Sequence, residues 1–339
     1  GDLRKRAEKS GSKGNWKDAL AVYRELLAEV DDAGSANDLK LAADSLRRLN
    51  RIGEWDALVE GAVDGHGTNW QLISRAGEMY AQAQHWGTIL DGEFQRGSHR
   101  GGGQWTSAGE RDRVRAMQLY LRALDLGKGT MSDPQRAGVM GFLAESVKMG
   151  RTGRNQVWAL GVLTPLDVLP DYGNGSEMSS GAGAPVDDAG DPLFMKIPAS
   201  WEAAANDGER WRWLLEERRR LDPGVAEAAE MEWARFLVNH YGVRTMAGFG
   251  WWRQSGPDEA KGILQVHTLK ESESLASLAG GVKRFTLQDD YQFIPILRKI
   301  YTERKGTWAE EAGDLLVAVH LDRRQYDRAV TELDAVMAK

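Results

Sequence analysis

The 339-residue chain contains no cysteine, so disulfides, thiolate metal sites and a cysteine nucleophile are all excluded. It has no apolar run near the roughly 18 residues that a membrane span needs, so no membrane insertion by this segment is expected. Neither charge sign dominates: 44 Lys and Arg are interspersed with 50 Asp and Glu, for a net charge of −6. A dedicated nucleic-acid binder needs a basic face that displaces counterions from phosphates, and this balance argues against one. An initial Met is missing too. The opening GDLRKRAEKS reads as the start of a piece cut from a longer protein, and the lack of a signal peptide then says nothing about compartment.

What the chain has is helical periodicity. Hydrophobic residues make up 42% of it, with 13 Trp and 39 Gly, the glycine exceeding the usual 7% or so. In GNWKDALAVYRELLAEV, residues Trp16, Ala19, Leu20, Tyr23, Leu26, Leu27 and Val30 fall at helical spacing and form one apolar stripe. The opening recurs as GEWDALVE from Gly53 and, more weakly, as QHWGTIL from Gln84. Trp16, Trp55 and Trp86 are thus 39 and 31 residues apart, bracketing the tetratricopeptide period of about 34. NDLKLAADSLRRLN and NWQLISRAGEMYAQ supply partner helices. RVRAMQLYLRALDLG from Arg113 places Ala116, Tyr120 and Ala123 as a fourth copy would. A further helix has Asp133 as N-cap and Pro134 at its first position, and closes near Gly150.

The last copy is TWAEEAGDLLVAVHLDRRQYDRAVTELDAVM. Thr307 and Glu310 are spaced as a capping box, and Tyr326, Ala329, Leu333 and Val336 form the second helix's stripe. The expected fold is therefore all-α, a tetratricopeptide-like array of helical hairpins in a right-handed solenoid. Its expected parts are repeats over 1–163, a Gly/Pro/Ser-rich loop or linker over 164–199, and a second helical region over 200–339. A shorter Gly-rich insertion, RGSHRGGGQW, starts at Arg96. In the second region WEAAANDGERWRWLLEERRRLDP and AEAAEMEWARFLVNHYG read as helices. Ile263, Gln265 and His267 open a short strand. Thr268 and Glu271 cap a helix ending at Gly280–Gly281, and Pro295 sits in the first turn of the next.

ASWEAAANDGERWRWLLE (Ala199–Glu216) and HTLKESESLASLAGGVKRFTLQDDYQFI (His267–Ile294) resemble a segment of large bacterial alpha-2-macroglobulin-like proteins, which carry a tetratricopeptide-rich region ahead of their macroglobulin domains. The resemblance covers roughly residues 199 to 339. It implies a helical region within a large exported, envelope-associated protein. The family's reactive thioester needs a cysteine, which this chain lacks, so the resemblance does not imply protease trapping by these residues.

Catalytic and cofactor signals are weak. No two of the six histidines share a four-residue helical spacing and there is no HExxH, so no metal is expected. LGKGT at Leu126 lacks the first Gly of a phosphate loop, GGG at Gly101 follows no strand, and GAGAP at Gly181 falls in the linker; no cofactor is expected. There is no GxSxG elbow. The pairs Glu216–Glu217, Asp289–Asp290 and Glu310–Glu311 suit a solvated helix face better than two carboxyls facing across a cleft. WRWLLEERRR reads as a core Trp with a snorkelling Arg face rather than a nucleic-acid patch. Adjacent Trp251 and Trp252 cannot both enter one core from regular structure, which leaves one of them for a loop contact or a partner.

The expected function is a non-enzymatic scaffold that binds a protein, a peptide or other domains of its parent chain on a concave face. Its partner-binding candidates are Asn37, Asn69, Arg75, Trp251 and Trp252. The alternative is an all-α carbohydrate-binding or carbohydrate-active protein using Trp and paired carboxylates.

Overall fold

The computed structural model describes residues 2–151, 157–173, 193–243, 265–278 and 281–338. It is mainly helical, 64% helix, with twelve α-helices and five short strands among the described residues. The chain divides into two compact units. One is Gly1–Met149 with Thr164–Met178, the other Gly150–Leu163 with Ser179–Lys339.

The first unit runs α1 (Asp2–Ser12), α2 (Trp16–Glu29), α3 (Ser35–Arg48), α4 (Trp55–Gly65), α5 (Trp70–Ala81), a sheet of β1 (Trp86–Leu90), β2 (Glu93–Arg96) and β3 (Gln104–Ser107), then α6 (Gly109–Leu126) and α7 (Asp133–Lys148). The periodic stripes become the core. Ala19 and Tyr23 of α2, Leu39 and Leu46 of α3, and Leu72 and Ile73 of α5 are all buried. Helix α1 packs on α2, α2 on α3, α3 on α5, α5 on α6 and α6 on α7. The α5–α6 approach depends on Gly77, where a Cβ would lie 3.0 Å from the Tyr120 ring. Ser132, not Asp133, caps α7 and completes a capping box with Gln135.

QHWGTIL is a strand, not a third helical copy. The deciding feature is Asp91–Gly92, with φ of 50° and 85°, the dipeptide that suits a two-residue hairpin loop with both φ positive. Leu90 therefore pairs with Glu93, and β1 becomes the centre of an antiparallel sheet ordered β2-β1-β3. A Cβ on Gly87 would strike the Gln95 carbonyl and the Phe94 ring, so the strand crossing needs glycine there. The Gly-rich insertion accordingly begins at the end of one strand and finishes in the next. The sheet is a detour between two packed helices, closed where Ala108 N–H donates to the His85 carbonyl at 2.9 Å.

The second unit holds α8 (Asp207–Leu221), α9 (Ala226–Tyr241), a hairpin of β4 (Glu273–Leu278) and β5 (Gly281–Thr286), then α10 (Phe293–Glu303), α11 (Thr307–Asp322) and α12 (Tyr326–Met337). Its core is aromatic: Trp211, Phe236, Tyr241, Tyr291 and Phe293 are buried and mostly meet edge to face. Four expectations change. Helix α8 starts at Asp207 rather than near Trp201, because Asn206 Oδ1 accepts from Glu209 N–H at 2.9 Å. The segment after Thr268 is an antiparallel hairpin with Glu273 opposite Thr286, not a capped helix, as suits a serine-rich, weakly helix-forming stretch. At 265–268 the chain makes a short 3-10 turn rather than a strand, and Ile263 lies outside the described residues. Helix α11 is capped by Gly306 with no side-chain bond, so Thr307 is its first residue. Pro295 does sit in the first turn of α10.

The described ends of the Gly/Pro-rich segment are packed. Gly173 bridges to Ser107, and Tyr172 stacks on Phe94 at 4.4 Å. In the second unit Met195 is buried and exchanges hydrogen bonds with the Tyr291 hydroxyl at 2.6 and 3.1 Å. Residues 174–192 lie outside the described residues.

His320 gives the second unit a pH dependence. Burial holds its imidazole below the ordinary value of 6.5, although Gln325, accepting from Nδ1 at 3.0 Å, and Glu332, 3.9 Å from Nε2, favour the proton. Arg323 acts with burial and Glu271 against it. Below pH 6.5 the unfolded chain therefore binds a proton that the folded chain refuses. This stability is fully present above that pH and is lost as pH falls toward the lower folded value. Glu271 and Glu273, whose carboxyls are held down by Arg298 and Arg284, weaken only in the carboxylate range below. Urea unfolding should thus show stability falling as the pH drops below about 6.5, and His320→Gln should flatten that slope. An unchanged slope in the variant would remove His320 as the cause.

Candidate functional site

Helices α3 and α5 are amphipathic, and their polar faces line a groove of about 440 Å³. Lys40, Asp44 and Arg47 recur on α3 at steps of four and three. Arg75 and Glu78 of α5 and its C-cap Gln82 do the same in the reverse order. Ile52 and the edge of buried Trp55 form the apolar part of the wall. Each carboxylate is held by its own helix: Asp44 by Arg47 at 3.3 Å, and Glu78 by Arg75. Lys40 is exposed and has no carboxylate partner among the described residues.

A second groove, of about 830 Å³, lies between α1 and α3. Trp16 lines it with Arg48 stacked above the indole at 5.4 Å, and Glu8 stands on the α1 side. Asp44 and Arg47 line both grooves.

At one end of the first groove is buried Arg96, the last residue of β2. Its Nη1 donates to Asp112 and to the Gln84 carbonyl, each at 2.7 Å. Its Nη2 reaches Asp112 at 2.9 Å and Asp56 at 2.6 Å, and its Nε reaches Asp56 at 3.0 Å. The guanidinium also lies over Trp55 at 4.8 Å and Phe94 at 5.4 Å. Burial alone would lower its pKa, but the two carboxylates more than offset that and raise it. His85 Nδ1 is 2.9 Å from Asp112. A His–Asp pair suggests acid–base chemistry, but this Asp also accepts two bonds from the buried Arg96. The cluster is an anchor that ties β2 to α4 and α6.

A comparable tie joins α4, α5 and α6. Tyr80 Oη donates to Glu60 at 2.6 Å, and Arg115 clasps the same carboxylate at 2.9 and 2.5 Å. Burial would raise Glu60, but Arg115 and Tyr80 overcome it and hold the carboxyl below its ordinary value. Burial and Glu60 together push the Tyr80 hydroxyl up.

Of the residues expected to contact a partner, Arg75 lines the groove. Asn37 is exposed in the first turn of α3 and does not line it. Asn69 is the N-cap of α5: its Oδ1 accepts from Leu72 N–H at 3.1 Å, while Nδ2 donates to Asp31 at 2.7 Å and to the Asp32 carbonyl at 2.9 Å. That is structural work. Trp251 and Trp252 lie outside the described residues. Lys40, Asp44, Arg47 and Glu78 were missed, although their helical spacing opposite the apolar stripe marks them in the sequence.

The second unit has a smaller, mainly apolar hollow of about 260 Å³ between α8, α9 and α10. Arg212 is buried at its edge, with Nη1 donating to Asp290 at 2.5 Å and to the Met195 carbonyl at 2.8 Å. Among the described residues no group of three or more His, Asp or Glu is placed to hold a metal. No family model matches the sequence, and no curated protein matches it.

Proposed function

We propose that the chain is a non-enzymatic, tetratricopeptide-like scaffold that holds an extended peptide, or a segment of its parent protein, across α1, α3 and α5. The parent in this reading is an exported protein of the alpha-2-macroglobulin-like kind that residues 199–339 resemble. The observation that carries the proposal is the pair of adjoining grooves with Asp44 and Arg47 common to both. Successive helices of a repeat array present such grooves side by side, and a partner strand crosses them with side chains entering each. Self-paired charges on the walls suit a partner of mixed charge, because each pair can open to accept an ion of either sign.

A random peptide library displayed against the purified chain tests this. Peptides should be enriched, and Arg75→Glu with Lys40→Glu should weaken their binding about ten-fold, a change of about 1.4 kcal/mol, while Asn37→Ala leaves it unchanged. No enrichment, or binding indifferent to Arg75 and Lys40, defeats the reading.

One observation favours the carbohydrate alternative. Trp86 and Trp105 are 36% and 53% exposed. Because Thr88 pairs with Trp105, both indoles stand on the same face of the sheet. Exposed indoles stack on sugar rings. A glycan array that lights up for the intact chain and goes dark for Trp105→Ala would choose this reading instead.

A further inference from the structure

Helix α12 carries four large apolar side chains that no described residue covers. Tyr326, Val330, Leu333 and Met337 are 63%, 56%, 43% and 78% exposed. The sequence pattern places Leu333 in the core of the last hairpin; the structure leaves it outside, and only Ala329 of that helix is buried. Their spacing of four, three and four residues is that of a single heptad seam, the pattern that seats another helix. A contiguous exposed stripe of this kind marks an interaction surface.

The two edges of the stripe differ. On one side Ala329 and Val336 turn toward α11, where a Cβ on Gly313 would come 2.9 Å from Val336. The other side is open and carries Asp327 and Asp334, one heptad apart and both exposed. No ion pair or side-chain hydrogen bond reaches either carboxylate among the described residues. These charges select the occupant. If α12 paired antiparallel with its own copy, the open edges would meet, and each Asp327 would face the other copy's Asp334. A parallel pair would need the edge that α11 already fills.

We propose that α12 docks a basic amphipathic helix of a partner protein. Its apolar seam covers Tyr326, Val330, Leu333 and Met337, and its Lys or Arg side chains stand opposite Asp327 and Asp334. Opposite charges flanking an apolar seam fix both partner choice and register.

Two synthetic three-heptad helices test this, identical in a Leu seam but carrying Lys in one and Glu in the other at the flanking positions. In fluorescence anisotropy titrations with the full chain, the Lys peptide should bind at least about ten-fold tighter than the Glu peptide. Val330→Lys should abolish that binding. Asp327→Lys with Asp334→Lys should reverse the preference. All three sites are exposed, and unchanged thermal melts confirm that the variants fold. Equal affinity for the two peptides overturns the proposal, as does a preference that survives either substitution. A concentration-dependent dimer that Val330→Lys dissolves also overturns it, and makes a second copy the occupant.

Discussion

Arg96→Ala should cost the first unit about 3–5 kcal/mol, the range for removing one partner from a buried ionic cluster. Arg96 satisfies two carboxylates at once, and the Asp112 side chain is only 3% exposed. Without the guanidinium, Asp112 keeps only the contact with His85 Nδ1 at 2.9 Å. The packing over Trp55 and Phe94 is lost as well. Arg96→Lys should recover little, because an ammonium cannot bridge both carboxylates and a backbone carbonyl in one plane. Hydrogen exchange should rise in β1, β2 and the first turns of α6. If exchange there stays as in the parent chain, Arg96 is not the anchor.

Trp211→Ala should be as damaging to the second unit, at about 3–5 kcal/mol for a large aromatic removed from a core. The indole is fully buried, meets Phe236 edge to face at 4.7 Å, and donates from Nε1 to Glu232 at 3.1 Å. Its loss leaves a cavity between α8 and α9 and strips a donor from a partly buried carboxylate. Trp211→Phe keeps most of the packing and loses the donor, so its cost should be intermediate. Chemical denaturation followed by exchange in α8 and α9 reads both. Equal stabilities for the Phe and Ala variants would mean that the hydrogen bond, not the packing, dominates.

The helices were legible because their signal is local: a stripe at 3.6-residue spacing can be read within one segment, as in α2, α3 and α5. The β1–β3 sheet was not, because a Trp at a plausible repeat interval outweighed the Asp91–Gly92 hairpin signal beside it. The Arg96 anchor was hidden for a different reason. Its partners are 40 residues before it and 16 after it, and only the folded chain brings them to one guanidinium. Asn69 is also the N-cap of α5, a role legible in the sequence because Asn just before an apolar-periodic run is a usual N-cap. Leu333 shows the opposite limit: a stripe says that a face wants cover, not that the same chain provides it. Half of the groove was readable, through Arg75, and the α3 half required noticing the polar face as well as the apolar one.

The Asp44–Arg47 pair belongs to two grooves, and occupancy of one therefore cannot leave the other unchanged. A ligand group that pulls Arg47 toward the α5 side frees Asp44 toward α1, making the second groove more acidic. A ligand anion in the first groove would then oppose an anion in the second and favour a cation there. By thermodynamic linkage the effect is the same size in both directions, whichever groove fills first. A single polypeptide crossing both grooves would meet this as a preference for alternating charge along its own sequence.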